Sequence, residues 1–182
     1  MSISDSELVE QATKGDKEAF GNLYERYLDE IYRYIYFRVF NHQEAEDLTE
    51  TVFLKAWEVL PKSRKRIKNF RAWLYRIAHN LVIDYRRKKS PEILEAEPPV
   101  REDLTKIGAV LEEKQESQTV MQALARLEFK YHQVIVMRFF NQMSHAEVAQ
   151  ALDIEEGHVR VLQYRGLQKL RQLIDEGLTD EG

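Results

Sequence analysis

Apolar residues recur at intervals of three and four along most of the chain, which is the periodicity of amphipathic helices. The clearest case is residues 70–89, where the apolar positions are Trp73, Leu74, Ile77, Ala78, Leu81, Val82 and Tyr85. Asn69, directly before this stretch, is a residue type that caps helix N-termini. The pattern therefore predicts one helix over residues 70–89, with one side against a core.

Capping residues mark the starts of three helices before this one. The caps are Ser4 with Glu7, which form a capping box, Asp16 and Asn41. The predicted helices cover residues 5–13, 17–40 and 42–60, and Pro61 ends the third. Together with residues 70–89, they predict a compact four-helix unit.

A second helical unit is predicted from about Ser117. It contains a dense apolar helix over residues 134–140, which we expect to be buried nearly all round, then a short helix that stops at Leu152. A last helix over residues 156–174 follows a three-residue turn, which is the helix-turn-helix pattern. The second helix of such a unit lies in the DNA major groove. Its predicted base-contacting side chains are Glu156, His158, Arg160, Gln163, Tyr164 and Arg165.

An acidic stretch separates the two units. Residues 90–116 contain three prolines and eight acids against three bases, which is typical of an exposed linker. The predicted fold is all-α: two small helical domains, 1–89 and 117–182, joined by an acidic linker, 90–116. The acids of the linker serve solubility, or alternatively mimic or repel nucleic acid.

Composition narrows the functional class. The chain has no cysteine, which excludes disulfides and cysteine-ligated zinc and favours a reducing, cytoplasmic location. We expect neither a signal peptide nor direct membrane insertion, because no apolar run approaches the ~18 residues of a membrane span. We also expect no enzyme activity, cofactor or metal site. His42 and Glu46 lie four residues apart, but surface pairs at this spacing are far commoner than metal sites.

Charge is concentrated in one segment. Residues 62–89 carry eleven Lys and Arg against one acid, whereas the whole chain has a net charge of −4. Such a segment is typical of polyanion binding, most often nucleic acid. The aromatic residues Phe70, Trp73, Tyr75 and Tyr85 alternate with the cations and could stack on unpaired bases. The alternative is a solvated basic face with Trp73 in the core; His79 is expected at the surface or facing DNA.

Two blocks of sequence together resemble the bacterial sigma factors. EDLTETVFLKAWEVL followed by FRAWLYRIAHNLVIDYRRKK resembles their second conserved domain. VMQALARLEFKYHQVIVMRFFNQMSHAEVAQALDIEEGHVRVLQYRGLQKLR resembles their fourth. The order and the short linker are similar to the extracytoplasmic-function group. The resemblance implies a non-enzymatic protein that binds core RNA polymerase, directs it to promoter DNA and is held by an anti-sigma factor.

The resemblance also implies roles for individual residues. Contact with core polymerase would fall on Asp47, Leu48, Glu50, Phe53 and Leu54. Recognition and melting of the −10 element would fall on Lys62, Arg64, Lys65, Arg66, Lys68, Arg76, Asn80 and Arg87. The last helix would read the −35 element.

Four residues at three sites depart from the family pattern. Asp153 stands in the helix-turn-helix turn where glycine is usual, Glu155 where serine is frequent, and Glu50-Thr51 where the family has a Gln-Glu pair. These departures affect individual contacts of the protein and not the resemblance to the family. The competing interpretation is a dimeric helix-turn-helix repressor or activator that binds palindromic half-sites; it leaves the basic segment unexplained.

Overall fold

The computed structural model describes residues 3–63, 67–89 and 115–180. Within these ranges the secondary structure is helical and includes no strand, so the predicted all-α class is confirmed. Residues 90–114, most of the predicted linker, lie outside the described residues. The domain limits at 89 and 117 therefore stay a prediction.

Eight helices and two short helical turns are found in the described residues. The first are α1 (Asp5–Thr13), α2 (Lys17–Val39), α3 (His42–Val59) with a 3₁₀ turn at Leu60–Lys62, and α4 (Phe70–Lys89). The others are α5 (Gln115–Arg126), α6 (Phe129–Ile135) with a π-helical turn at Val136–Phe140, α7 (His145–Leu152) and α8 (Glu156–Asp180). The chain divides into two compact units: Met1–Asp84 with Ala146–Ile154, and Tyr85–His145 with Glu155–Gly182.

The predicted caps of α1 to α4 are confirmed. The Ser4 side chain accepts from the backbone of Glu7, whose carboxylate accepts from the Ser4 backbone at 2.9 Å. Side chains of Asp16, Asn41 and Asn69 likewise accept from backbone N–H groups of the first turn that follows each of them. Because these N–H groups have no partner inside the helix, each cap fixes where its helix begins.

Aromatic packing dominates the core of the first four helices. Tyr34 of α2 and Tyr75 of α4 are fully buried and meet edge to face, with ring centroids 5.3 Å apart. Tyr24 of α2 and Phe53 of α3 meet in the same way at 4.7 Å. Large rings bury much apolar area per residue, so α2, α3 and α4 present fixed outer faces.

In the other unit, α8 lies close against α6. A Cβ at Gly166 would come within 3.2 Å of Ile135 and Tyr131, so the absence of a side chain permits this approach. Leu167 is 40% exposed because it lies about 100° around the helix from that contact line.

The prediction that residues 134–140 are buried nearly all round is wrong at Phe139, which is 49% exposed. Val134, Ile135, Val136 and Met137 are buried as expected. The difference arises at the π-helical turn, because its wider winding shifts the following residues out of α-helical register.

The two helices of the predicted helix-turn-helix have the expected limits on either side of the turn. α7 ends at Leu152, and α8 starts at Glu156 after a three-residue connection. Asp153 takes the left-handed conformation, with φ 58°, that glycine usually supplies in this turn.

Candidate functional site

One face of α3 carries exposed acidic residues around the exposed Leu54. Asp47 and Glu50 are exposed, Leu48 is half-buried, and Leu54 is 62% exposed. We call Asp47, Leu48, Glu50 and Leu54 the α3 surface. Gln43 donates to the Asp47 carboxylate at 3.0 Å, which orders the N-terminal side of this surface.

Phe53, expected to contact polymerase, is not part of this surface. Its side chain is 3% exposed and packs on the ring of Tyr24. The reason is helical register: Thr49, Val52, Phe53 and Ala56 form the buried stripe of α3, whereas Leu54 lies a further 100° around. Phe53 supports the α3 surface from inside the fold.

Several exposed basic side chains lie on α4 and in the residues directly before it. Lys62 and Lys68 are exposed before the helix, whereas Arg64, Lys65 and Arg66 lie outside the described residues. Within α4, Arg76 is 41% exposed, and Asn80 and Arg87 are exposed. These three are spaced by four and seven residues, so they share one helix face. We call Arg76, Asn80 and Arg87 the α4 face.

Two of the four aromatic residues expected to stack on bases are in the core. Phe70 is 3% exposed, and Tyr75 is fully buried, with its hydroxyl donating to the Glu30 carboxylate at 3.2 Å. Arg71 donates to the same carboxylate at 2.9 Å. Trp73 and Tyr85 are half-buried. Aromatic residues on the apolar stripe of a helix pack into the core, so Trp73 and Tyr85 are the two of these four rings with surface left to contact a base.

His79, expected at the surface, is 9% exposed. The Tyr34 hydroxyl lies 3.3 Å from its Nδ1 atom. Burial, and to a smaller extent the charge of Arg38, lowers the pKa of His79 to about 4. The sequence carried a signal for this position, because Tyr75, Ala78, His79 and Val82 complete one apolar stripe at helical spacing.

We expect the free energy of unfolding to fall by about 2 to 3 kcal/mol as the pH is lowered from 7 to 4.5, through His79 alone. The unfolded chain binds a proton on this residue near pH 6.5, whereas the folded chain does so only near pH 4. Stability is therefore present above this window and lost below it. Denaturant titrations of the wild type and His79→Gln at both pH values measure the difference.

The variant His158→Gln is the matched control for this experiment, because His158 is exposed. It should follow the wild-type pH dependence. Equal pH dependence in the wild type and in His79→Gln would contradict the burial of a neutral His79.

The exposed side of α8 carries five of its six predicted base-contacting residues. Glu156, His158, Arg160, Tyr164 and Arg165 are exposed, and Tyr164 reaches 65%. Arg160 donates to the Glu156 carboxylate one turn earlier. Tyr164 accepts a hydrogen bond from Gln168 at 3.0 Å. These contacts lie along the helix and hold the side chains outward.

Gln163 is the exception on α8. It is half-buried, and its carbonyl oxygen accepts from Arg138 Nε at 3.1 Å and lies 2.9 Å from His145 Nε2. Arg138 also donates to the backbone carbonyl of Met143. Gln163 therefore faces the residues that precede α7 and not the outer side of α8, because Arg138 extends to it from the π-helical turn.

The described residues show neither a metal-binding cluster nor a membrane-spanning helix. Among residues 3–63, 67–89 and 115–180, no group of three His, Cys, Asp or Glu side chains is arranged to hold a metal ion. In the same part of the chain, no helix combines the length and apolarity needed to cross a membrane.

Comparison with known proteins identifies the family. The Sigma-70 region 2 family matches residues 23–92, and the Sigma-70 region 4 family matches residues 123–172. The chain is 34% identical over 175 residues to the extracytoplasmic-function sigma factor SigW of Bacillus subtilis, covering 90% of this chain and 93% of SigW. The chain belongs to the extracytoplasmic-function sigma factors.

Other relatives agree with this placement. The sigma factor is 36% identical to BldN, an extracytoplasmic-function sigma factor of Streptomyces coelicolor, over 93% of this chain and 66% of BldN. The structure of CnrH in complex with the cytosolic domain of CnrY matches with a TM-score of 0.74 and 25% identity, over 94% of this chain and 97% of that chain. Sigma factors are non-enzymatic initiation factors, so this chain serves promoter-specific transcription initiation by RNA polymerase.

Proposed function

We propose that this sigma factor divides its task among three surfaces. The α3 surface binds core RNA polymerase, the α4 face with the basic residues before it holds the melted −10 strand, and the outer side of α8 reads the −35 duplex. The observation that carries the proposal is Leu54, a large apolar side chain left 62% exposed among acids on a helix whose other side is packed.

The charge distribution supports this division. Residues 62–89 are strongly basic on a chain whose net charge is −4. Cations along a helix bind a single strand through its backbone, while side chains that can hydrogen-bond a base edge add specificity. Extruding a base costs a few kcal/mol, which a pocket and contacts to the DNA backbone can supply without nucleotide hydrolysis.

Assembly on polymerase explains how an acidic protein binds DNA. Two weak DNA contacts fixed on one large partner act at high effective concentration, because the second contact forms within the same complex. The affinity of the holoenzyme for a promoter then exceeds that of either DNA-binding surface alone. With the predicted domain limits, 1–89 and 117–182, each domain would carry one of the two proposed DNA contacts.

We further propose regulation by an anti-sigma factor and a cytoplasmic location. The sigma factor RpoE of Bartonella quintana, whose structure matches with a TM-score of 0.67 and 19% identity over 86% of this chain, was solved in complex with the anti-sigma factor NepR. A cytoplasmic location follows from the proposed partners, because polymerase and promoter DNA are found there.

The direct test compares two affinities of the fluorescently labelled full chain. Anisotropy titrations with core RNA polymerase and with promoter duplex alone should give tight binding to polymerase and weak binding to the duplex. Tight binding to a palindromic duplex as a dimer, together with no binding to polymerase, would instead establish the repressor interpretation.

A further inference from the structure

Val161 is an exposed apolar residue within the otherwise polar outer side of α8. It is 44% exposed, and Tyr164, three residues later, is 65% exposed. Glu156, His158 and Arg165 surround this pair on the same side of the helix. Single exposed apolar residues are common on protein surfaces. Val161, however, lies in the second turn of the proposed recognition helix, where side chains contact base edges.

We propose that Val161 determines specificity by contacting the 5-methyl group of a thymine in the −35 duplex. This inference rests on the proposed function of α8. The thymine methyl is the apolar group that base pairs present in the major groove, and an apolar side chain is its natural partner. Valine has no hydrogen-bonding atom in its side chain, so it cannot read the polar groups of a base edge.

The stiffness of valine suits this role. Two heavy atoms on Cβ restrict its rotation about χ1 in a helix largely to one rotamer, so the two methyl groups of Val161 hold a fixed place. The contact therefore requires little ordering when DNA binds. A long flexible side chain at the same position would lose more conformational entropy.

The distance between Val161 and Arg165 along α8 predicts where this thymine lies in the −35 element. Val161 lies four residues before Arg165, about 6 Å along the helix axis. Successive base pairs are about 3.4 Å apart, so the two side chains address positions one to two base pairs apart. Arginine is the usual bidentate partner of guanine. The expected pattern is a thymine within about two base pairs of a guanine contacted by Arg165.

The contacts of Gln163 strengthen the assignment. Glutamine commonly reads adenine, but the Gln163 side-chain oxygen is already occupied by Arg138 and lies beside His145. The amide therefore positions α8 and does not face the groove. Between Arg160 and Tyr164, the exposed side chain left to meet base edges is Val161.

The test uses the holoenzyme formed by the full chain and a promoter recovered by transcription from a library. Each thymine of the −35 element is replaced, one at a time, by deoxyuridine, which lacks only the methyl group. We expect one replacement to weaken wild-type binding about fourfold, the effect of one buried methyl group. Val161→Ala should bind the original promoter less tightly and be insensitive to that replacement.

Leu167→Ala is the matched control, because Leu167 is an exposed apolar residue of α8 that lies about 120° around the helix from Val161. It should respond to deoxyuridine as the wild type does. Additive effects of Val161→Ala and of every deoxyuridine would overturn the inference, as would a −35 element without thymine. Binding that is unchanged when the whole −35 element is scrambled would overturn the proposed role of α8 as well.

Discussion

Replacing Leu54 by glutamate should weaken the affinity for core RNA polymerase about a hundredfold. The side chain is 62% exposed, so the folded structure does not depend on it. Apolar anchors at the centre of an interface commonly account for 2 kcal/mol or more of binding free energy. A carboxylate at this position also adds an unpaired charge that binding would have to desolvate. Anisotropy titration with core polymerase measures the affinity.

Val59→Glu is the matched control, since Val59 is also an exposed apolar residue of α3, 47% exposed, but lies about 140° around the helix. It should bind polymerase within a few-fold of wild type. Both variants should unfold at nearly the wild-type temperature. Wild-type affinity in Leu54→Glu would remove the α3 surface from the polymerase contact.

Replacing Asn80 by alanine should lower open-complex formation ten- to a hundredfold while leaving polymerase binding intact. Asn80 is exposed on the α4 face, between Arg76 and Arg87. Its amide offers both a donor and an acceptor to the edge of an unpaired base. Removing it leaves a desolvated base group without its partner, which costs about 1–3 kcal/mol. Permanganate reactivity of unpaired thymines at the −10 element measures the opening.

Asn22→Ala is the control for this prediction, because it makes the same change at an exposed position of α2. It should melt promoters as the wild type does. Alanine is the better helix former, so neither variant should lose stability. Normal opening by Asn80→Ala, or loss of polymerase binding in that variant, would contradict the proposed role of the α4 face.

The helices and their starting points followed from the sequence because their causes are local. Side chains such as Asn41 and Asn69 cap the residues that follow them directly, and the same contacts form in the structure. The exposure of Leu54 could also be predicted, since this residue interrupts a polar face at helical spacing. Local chemistry of this kind needs no knowledge of the neighbouring helices.

The burial of individual side chains could not be predicted from such local sequence patterns. Phe53 and Leu54 are adjacent in sequence, yet Phe53 is 3% exposed and Leu54 is 62% exposed. The reason is that only Phe53 packs against α2. The polarity of His79 favours a surface position, but its place on the apolar stripe of α4 decides its burial.

Gln163 could not be predicted from the sequence, because its partner Arg138 reaches it from a π-helical turn that the sequence pattern does not indicate. Contacts across 25 residues depend on how helices pack, whereas periodicity describes each helix alone.

Run-off transcription with purified core RNA polymerase, a promoter library and the full chain tests the central claim most directly. We expect specific transcripts that require both the chain and polymerase, and their start sites will define the −10 and −35 elements. Leu54→Glu should abolish these transcripts at limiting protein concentration, and Asn80→Ala should reduce them with polymerase bound. An absence of chain-dependent transcripts, together with tight binding of the chain to duplex DNA alone, would contradict the account.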